Sequence, residues 1–297
     1  MATRPTQTVD NQIAEREFYA THSANSNPGQ YAHVLDTVPV DYPGLSRVVQ
    51  GLIYHYMAGQ YSYGYCPPKK RMGEIDSRTM ERMLGRIMEL DSRSLSEPRA
   101  FENRLLGCCR DFSLLSCAIL RQHGTPARLR YGFGSYFVPG YWIDHVIVEA
   151  WNGSRWQRFD SQVSNGIDKL DLPETDFITG GQAWQMIRSE GADPAIFGLG
   201  PGVPELSGAW FVRGRLRLDV AALNKQEMLC WDEWGIGTLG EDHVSAAQES
   251  LLDQAAALWS KADIAPLQAL SAASAELRVP QAVNCYSPAT GPHEVAV

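Results

Sequence analysis

No stretch of this 297-residue chain reaches the roughly 18 uninterrupted apolar residues that a membrane-spanning helix needs. The N-terminal run MATRPTQTVDNQIAERE has no apolar core behind its arginine, so no secretory signal is expected and the chain reads as cytoplasmic. Positive charge is also in short supply. With 26 Lys and Arg against 34 Asp and Glu, the formal net charge of −8 argues against binding nucleic acid or an anionic membrane through phosphate neutralisation. Six cysteines are too few for a disulfide scaffold at this length, and none shows the C-x2-C spacing of a structural zinc site. No internal repeat is present, and neither metal nor cofactor is expected. What remains is an ordinary apolar fraction, 44%, enough for one large domain or two modest ones.

Residues 1–30 are polar, including THSANSNPGQ at 21–30, and read as a flexible arm; a catalytic domain is expected over 31–240 and a C-terminal helix with a partly disordered tail over 241–297. Helical spacing of Leu52, Ile53 and Met57 predicts a helix over 42–65, stopped by Pro67 and Pro68, and an apolar stripe from Met80 to Ile87 predicts another over 77–90. The most apolar segment, CCRDFSLLSCAILRQHG at 108–124, is hydrophobic around nearly its whole circumference, as in a helix of the interior, with Gly124 and Pro126 placed to end it. Strands are expected over 127–137, 144–151 and 155–162, with Asn152-Gly153 as a tight turn between the last two. Further helices are expected at 179–190, 218–229 and 244–260, and disorder beyond Ser287.

A thiol at a helix N-terminus is stabilised as thiolate by the unpaired N–H groups there, and Cys109 starts the interior helix just after Gly107, which leaves room for an approaching substrate. The plainer reading makes Cys108 and Cys109 small core residues. A two-residue turn at Asn152-Gly153 would set His145 directly opposite Asp160, close enough for the carboxylate to hold the imidazole and aim its other nitrogen at a nucleophile. Arg110 and Asp111 read as a first turn complementing the helix dipole, Asp144 and Glu149 as surface residues, Gly180-Gly181 as a turn, Trp231-Asp-Glu-Trp234 as packing, and the second Asp-His-Val at 242–244 as coincidence.

The strings GCCRDFSLLSCAILRQHGTPAR, DHVIVEAW and RWQRFDSQ, in that order over residues 105–163, resemble the core of transglutaminase-like proteins. The resemblance implies an α+β, papain-like fold in which a buried helix bearing the nucleophile packs on an antiparallel sheet. It also implies Cys109 as nucleophile, His145 as general base and Asp160 as its orienting residue. Cys108 falls at the variable position. The larger transglutaminases use an upstream Trp at the oxyanion, whereas the first Trp here is Trp142; the backbone N–H of Cys109 with Gln60 or Tyr63 is the expected substitute. The implied chemistry is acyl transfer from an amide, ester or thioester of a small molecule, peptide or carrier, to an amine or to water. Two other readings stand beside it. One is a non-catalytic binding module on the same fold; the other is a metal site on Cys108, Cys109 and His145, whose spacing is unusual for ligands.

Overall fold

The computed structural model describes residues 5–163, 169–238, 243–258 and 264–297. In chain order its elements begin with α1 (Pro5–Ala20), α2 (Ala32–Leu35), α3 (Tyr42–Leu52), β1 (Ile53–His55), α4 (Ala58–Tyr63), α5 (Met80–Leu90), β2 (Leu105–Gly107) and α6 (Cys109–Gln122). Then come β3 (Ala127–Val138), β4 (Tyr141–Trp151), β5 (Trp156–Phe159), β6 (Phe177–Thr179), α7 (Gly180–Ser189), β7 (Phe197–Gly198) and α8 (Ala209–Leu223). The last are β8 (Asp232–Glu233), α9 (Ala246–Leu258), α10 (Ala265–Ala273), β9 (Ala282–Ser287) and β10 (Gly291–Ala296). The architecture is α+β, with a buried helix packed on an antiparallel sheet as expected. A mostly antiparallel sheet in the order β5-β4-β3-β6, with β7 parallel to β4, supports α6 and α8.

Helix α6 is interior as its composition demands. Phe112, Leu115, Cys117 and Ile119 join Leu129, Tyr131, Val146 and Val148 of the sheet in one core, and Leu218 of α8 closes it. The helix ends where expected: Gly124 takes φ +73, and the Thr125 N–H reaches back to the Leu120 carbonyl at 2.9 Å. On the sheet, Gly132 is required by close approach, since a Cβ there would lie 2.0 Å from the Ile178 carbonyl oxygen of β6.

Four expectations are corrected by long-range packing that local sequence does not report. The N-terminal stretch is no loose arm where it is described: it carries α1, and buried Tyr19 donates to the Leu223 carbonyl at 2.7 Å. The stretch 42–65 is not one helix. The chain breaks at Ile53 into a short strand that pairs in parallel with β2, Ile53 with Leu105 and His55 with Gly107. Beyond Ser287 the chain is not disordered but returns as β10 against β9, with β8 on the far edge. The helix expected over 218–229 begins at Ala209 instead. Its arginines obscured the pattern, and they are buried because each has a partner: Arg213 donates to the Ile236 carbonyl, Arg215 pairs with Asp144, and Arg217 with Glu233. Part of the repeated Asp-His-Val lies outside the described residues. No described helix is long and apolar enough to cross a membrane.

Glu149 also departs from the surface placement read for it. Its carboxylate takes Arg128 at 2.8 Å, Arg130 at 2.9 Å and Arg158 at 2.8 Å, while Arg130 reaches Asp219 of α8 and Arg128 reaches Glu15 of α1. Three guanidiniums face three carboxylates across α1, β3, β4, β5 and α8. Burial alone would raise the Glu149 carboxyl, but the three arginines outweigh it and hold the group well below the usual carboxylate range.

Candidate active site

Cys109 occupies the first position of α6, 7% exposed, with Cys108 before it as the N-cap. The turn is held by Asp111, whose carboxylate accepts the Cys108 N–H at 2.8 Å and the Arg110 guanidinium at 3.0 Å. Arg110 and Asp111 are therefore structural, as the plainer reading had it, and both are buried. Gly107 serves the same cap: a Cβ there would stand 2.8 Å from the Asp111 carboxylate, so the missing side chain makes room for Asp111 rather than for substrate. One turn on, Ser113 Oγ donates to the Val146 carbonyl at 2.8 Å, and Ser161 Oγ to the Phe112 carbonyl at 3.3 Å. These two bonds fix the start of α6 against the residues that follow His145 and Asp160.

His145 and Asp160 meet as expected, Nε2 to Oδ2 at 2.7 Å, both buried. The ladder that brings them together differs from the expected one. Asn152 Oδ1 accepts the N–H groups of both Ser154 and Arg155 at 3.0 Å, which draws four residues into the turn, and Trp151 faces Trp156 rather than Ser154. The offset is two residues, so every side chain keeps its face. His145 and Asp160 are diagonal instead of opposite, and β5 ends at Phe159, freeing Asp160 to turn toward the ring. Tyr136 donates to the same Asp160 oxygen at 2.6 Å and the Gln162 N–H to the other at 2.8 Å. Burial pushes the Asp160 carboxyl up, but His145, Tyr136 and Gln162 together hold it below its ordinary value. An ionised Asp160 accepts from Nε2–H, which leaves the Nδ1 lone pair of a neutral His145 free. Phe137 closes over the ring edge-on, centroids 4.9 Å apart.

The Cys109 thiol has the sulfurs of Cys108 and Cys230 as neighbours. The three sulfurs lie within 4.8 Å of one another. The neighbouring Cys108 and Cys109, then the charges of Arg215 and Arg110, hold the Cys230 thiol well below the usual thiol range in spite of its burial. Cys108 is pushed well above it by Cys109, Cys230 and burial, and Cys109, in spite of Cys108, by Cys230 and burial. Sequence reasoning missed Cys230 because no local signal marks it; it arrives from the connection after α8, 121 residues beyond Cys109.

His55 was missed too, inside the stretch read as one helix. Its Nδ1 accepts the N–H groups of Ala58 at 3.1 Å and Met57 at 3.3 Å, so in the neutral ring the proton is on Nε2. Burial, followed by the charge of His145, pushes its pKa down to about 4. Gln60 and Tyr63, the two side chains expected at the oxyanion, are exposed on α4, and the Tyr63 ring packs on Phe101 at 4.9 Å. Asp144, expected on the surface, is buried against Arg215 with contacts of 2.5 and 2.8 Å; burial raises its pKa in spite of the arginine.

Residues 87–161 match the family model of the transglutaminase-like superfamily. No curated protein matches the chain. Among solved structures the chain is similar to one described as "a Putative Cysteine Protease from Cytophaga hutchinsonii", 18% identical, with a TM-score of 0.24, covering 60% of this chain and 43% of that one. The chain thus spans less than half of that protein, and a likeness this loose carries no argument here.

Proposed function

We propose that this chain, whose residues 87–161 form a transglutaminase-like core, is a thiol-dependent acyl-transfer enzyme working through Cys109, His145 and Asp160. The observation that carries the reading is the 2.7 Å contact between His145 Nε2 and Asp160, which leaves Nδ1 available as a base, in a chain that sets Cys109 at the start of α6. Nδ1 takes the Cys109 proton as sulfur attacks the carbonyl of an amide, ester or thioester, and returns it to the departing amine, alcohol or thiol. Water or an amine then resolves the thioester with His145 again as base. Small molecules, peptides and carrier-bound acyl groups are the substrate class, and the balance between transfer and hydrolysis follows from how far the cleft excludes water.

For the oxyanion we assign the backbone N–H of Cys109 and Nε2–H of His55, in place of Gln60 or Tyr63. His55 is level with Gly107 in the β1–β2 pairing, two residues before the nucleophile, and with its pKa near 4 it remains a neutral donor at ordinary pH. His55→Ala is expected to lower kcat by about 10²–10³-fold, the usual cost of one oxyanion donor. His55→Gln, whose amide nitrogen stands near the Nε2 position, should recover a substantial part. Equal losses in both variants would remove His55 from that role.

The second reading, a non-catalytic module, is favoured by one observation: the Cys109 thiol is buried among the sulfurs of Cys108 and Cys230. Iodoacetamide labelling near neutral pH, with peptide mapping, separates the two. An enzyme predicts modification at Cys109 that slows in His145→Ala, because thiolate character depends on the partner. A module predicts slow labelling that ignores the His145 substitution.

A further inference from the structure

We propose that Cys108, Cys109 and Cys230 form a binding site for one thiophilic metal ion of the class of Zn²⁺, Cd²⁺ or Cu⁺. Among the described residues, these are the His, Cys, Asp or Glu side chains that gather three ligand atoms, all within 4.8 Å of one another. A metal–sulfur bond of about 2.3 Å puts the sulfurs of a tetrahedral site roughly 3.8 Å apart, so the cluster needs to contract by no more than about 1 Å. A donor set of sulfur alone selects soft ions over magnesium or calcium. From the sequence the third ligand was sought at His145; that ring is committed to Asp160, and the fold supplies Cys230 instead.

The segment that carries Cys230 is fastened at both sides of it. Arg110 of α6 donates to the Glu227 carbonyl at 2.6 Å, Tyr131 of β3 to the Met228 carbonyl at 2.6 Å, and Arg215 of α8 to the Cys230 carbonyl at 3.1 Å. Asp232, just beyond, accepts the Leu229 N–H at 2.9 Å and pairs with Arg78. Cys108 and Cys109 are fixed in turn by the Asp111 cap. Three ligands held on a rigid frame before the ion arrives lose little freedom on binding it. Charge is suited as well. Three thiolates around a divalent ion carry one net negative charge, next to the guanidiniums of Arg110 and Arg215 that already act on Cys230. Each thiol that ligates gives its proton to the solvent buffer, and a fourth coordination position remains for water.

The site stands on the sulfur geometry and does not depend on the catalytic reading. It does bear on it: an ion here occupies the Cys109 lone pairs that attack on a carbonyl requires, so metal occupancy and nucleophilicity exclude each other.

The test uses the full chain, freshly reduced and stripped of metal, titrated with Cd²⁺ while the ultraviolet thiolate-to-cadmium charge-transfer band is followed, with equilibrium dialysis for stoichiometry. One ion per chain is expected. Cys230→Ser and Cys108→Ser should each weaken binding at least about 10-fold and shrink the band by about a third; Ser at 108 keeps an N-cap, and circular dichroism reports whether each variant folds. Cys66→Ser removes an exposed thiol and should change nothing. Wild-type protein without the band, or a band and affinity retained in the folded Cys230→Ser or Cys108→Ser protein, overturns the site. If Cys230→Ser does not fold, Cys108→Ser decides. Because the readout is binding, an absent acyl adduct leaves this result untouched, and an absent band leaves the acyl-transfer reading to its own tests.

Discussion

Cys109→Ala is expected to lower acyl transfer by on the order of 10⁴–10⁶, to the background left by binding and the oxyanion donors, while Cys108→Ala retains most of the activity. The asymmetry follows from position. Cys109 has helical backbone at the first residue of α6, on the first-turn N–H groups, whereas Cys108 is the extended N-cap residue. Asp160→Asn belongs to the same series. The amide keeps the Gln162 contact but can no longer hold Nε2–H as a charged acceptor, and it gives Tyr136 a weaker partner. A thiol already ionises more readily than a hydroxyl, so the loss should be on the order of 10 to 10³, short of the roughly 10⁴ of the serine-protease counterpart. The first measurement is intact-mass detection of a covalent adduct after incubation with mixed amides, peptides and thioesters, followed by turnover of whichever reacts. An adduct on Cys108, or full turnover in Asp160→Asn, sinks the residue assignment.

Glu149→Gln is expected to cost about 3–5 kcal/mol of folding stability, the range for breaking one member of a buried ionic network. The side chains are nearly the same size, so packing is preserved and charge is what changes. Arg128 and Arg130 keep Glu15 and Asp219, but the Arg158 Nε loses its carboxylate, and three positive charges then face two. Chemical denaturation of the two proteins at neutral pH reads the difference. The sign with pH is fixed by the direction of the Glu149 shift. A carboxyl held below its unfolded value contributes stability above that value, and the contribution is lost as pH falls through the folded one, so the gap between wild type and Glu149→Gln should narrow in acid. A cost under about 1 kcal/mol would mean that the arginines find other partners or water.

Composition and spacing alone located the buried helix, its glycine stop and the His145–Asp160 pair, because each of those signals is local: an apolar circumference, a left-handed glycine, a hairpin whose turn is written in two residues. The hairpin also shows why such a reading tolerates error. Asn152 drew two more residues into the turn, yet an even slip returns the same residues to the same face. What stayed hidden depends on partners far away in the chain. Ile53-Tyr54-His55 becomes strand because Leu105–Gly107 lies beside it, and without that neighbour a helical spacing dominates. Nothing local marks Arg215 and Arg217 as buried; Asp144 and Glu233, far away or across a connection, are what allow it. The C-terminal tail looks disordered by composition, although β9 supplies every register partner of β10.

The hold on the 227–230 connection is exerted through its carbonyls: Arg110, Tyr131 and Arg215 each grip main-chain oxygen, at Glu227, Met228 and Cys230. A loop whose path is set by its peptide groups is indifferent to the side chain it presents. Position 230 is therefore a fitting whose main chain is held apart from its side chain, and that side chain faces the first turn of α6. Variation confined to this one residue, in relatives or in a laboratory library, can thus change the chemistry offered to Cys109 while the fold around it stays as it is.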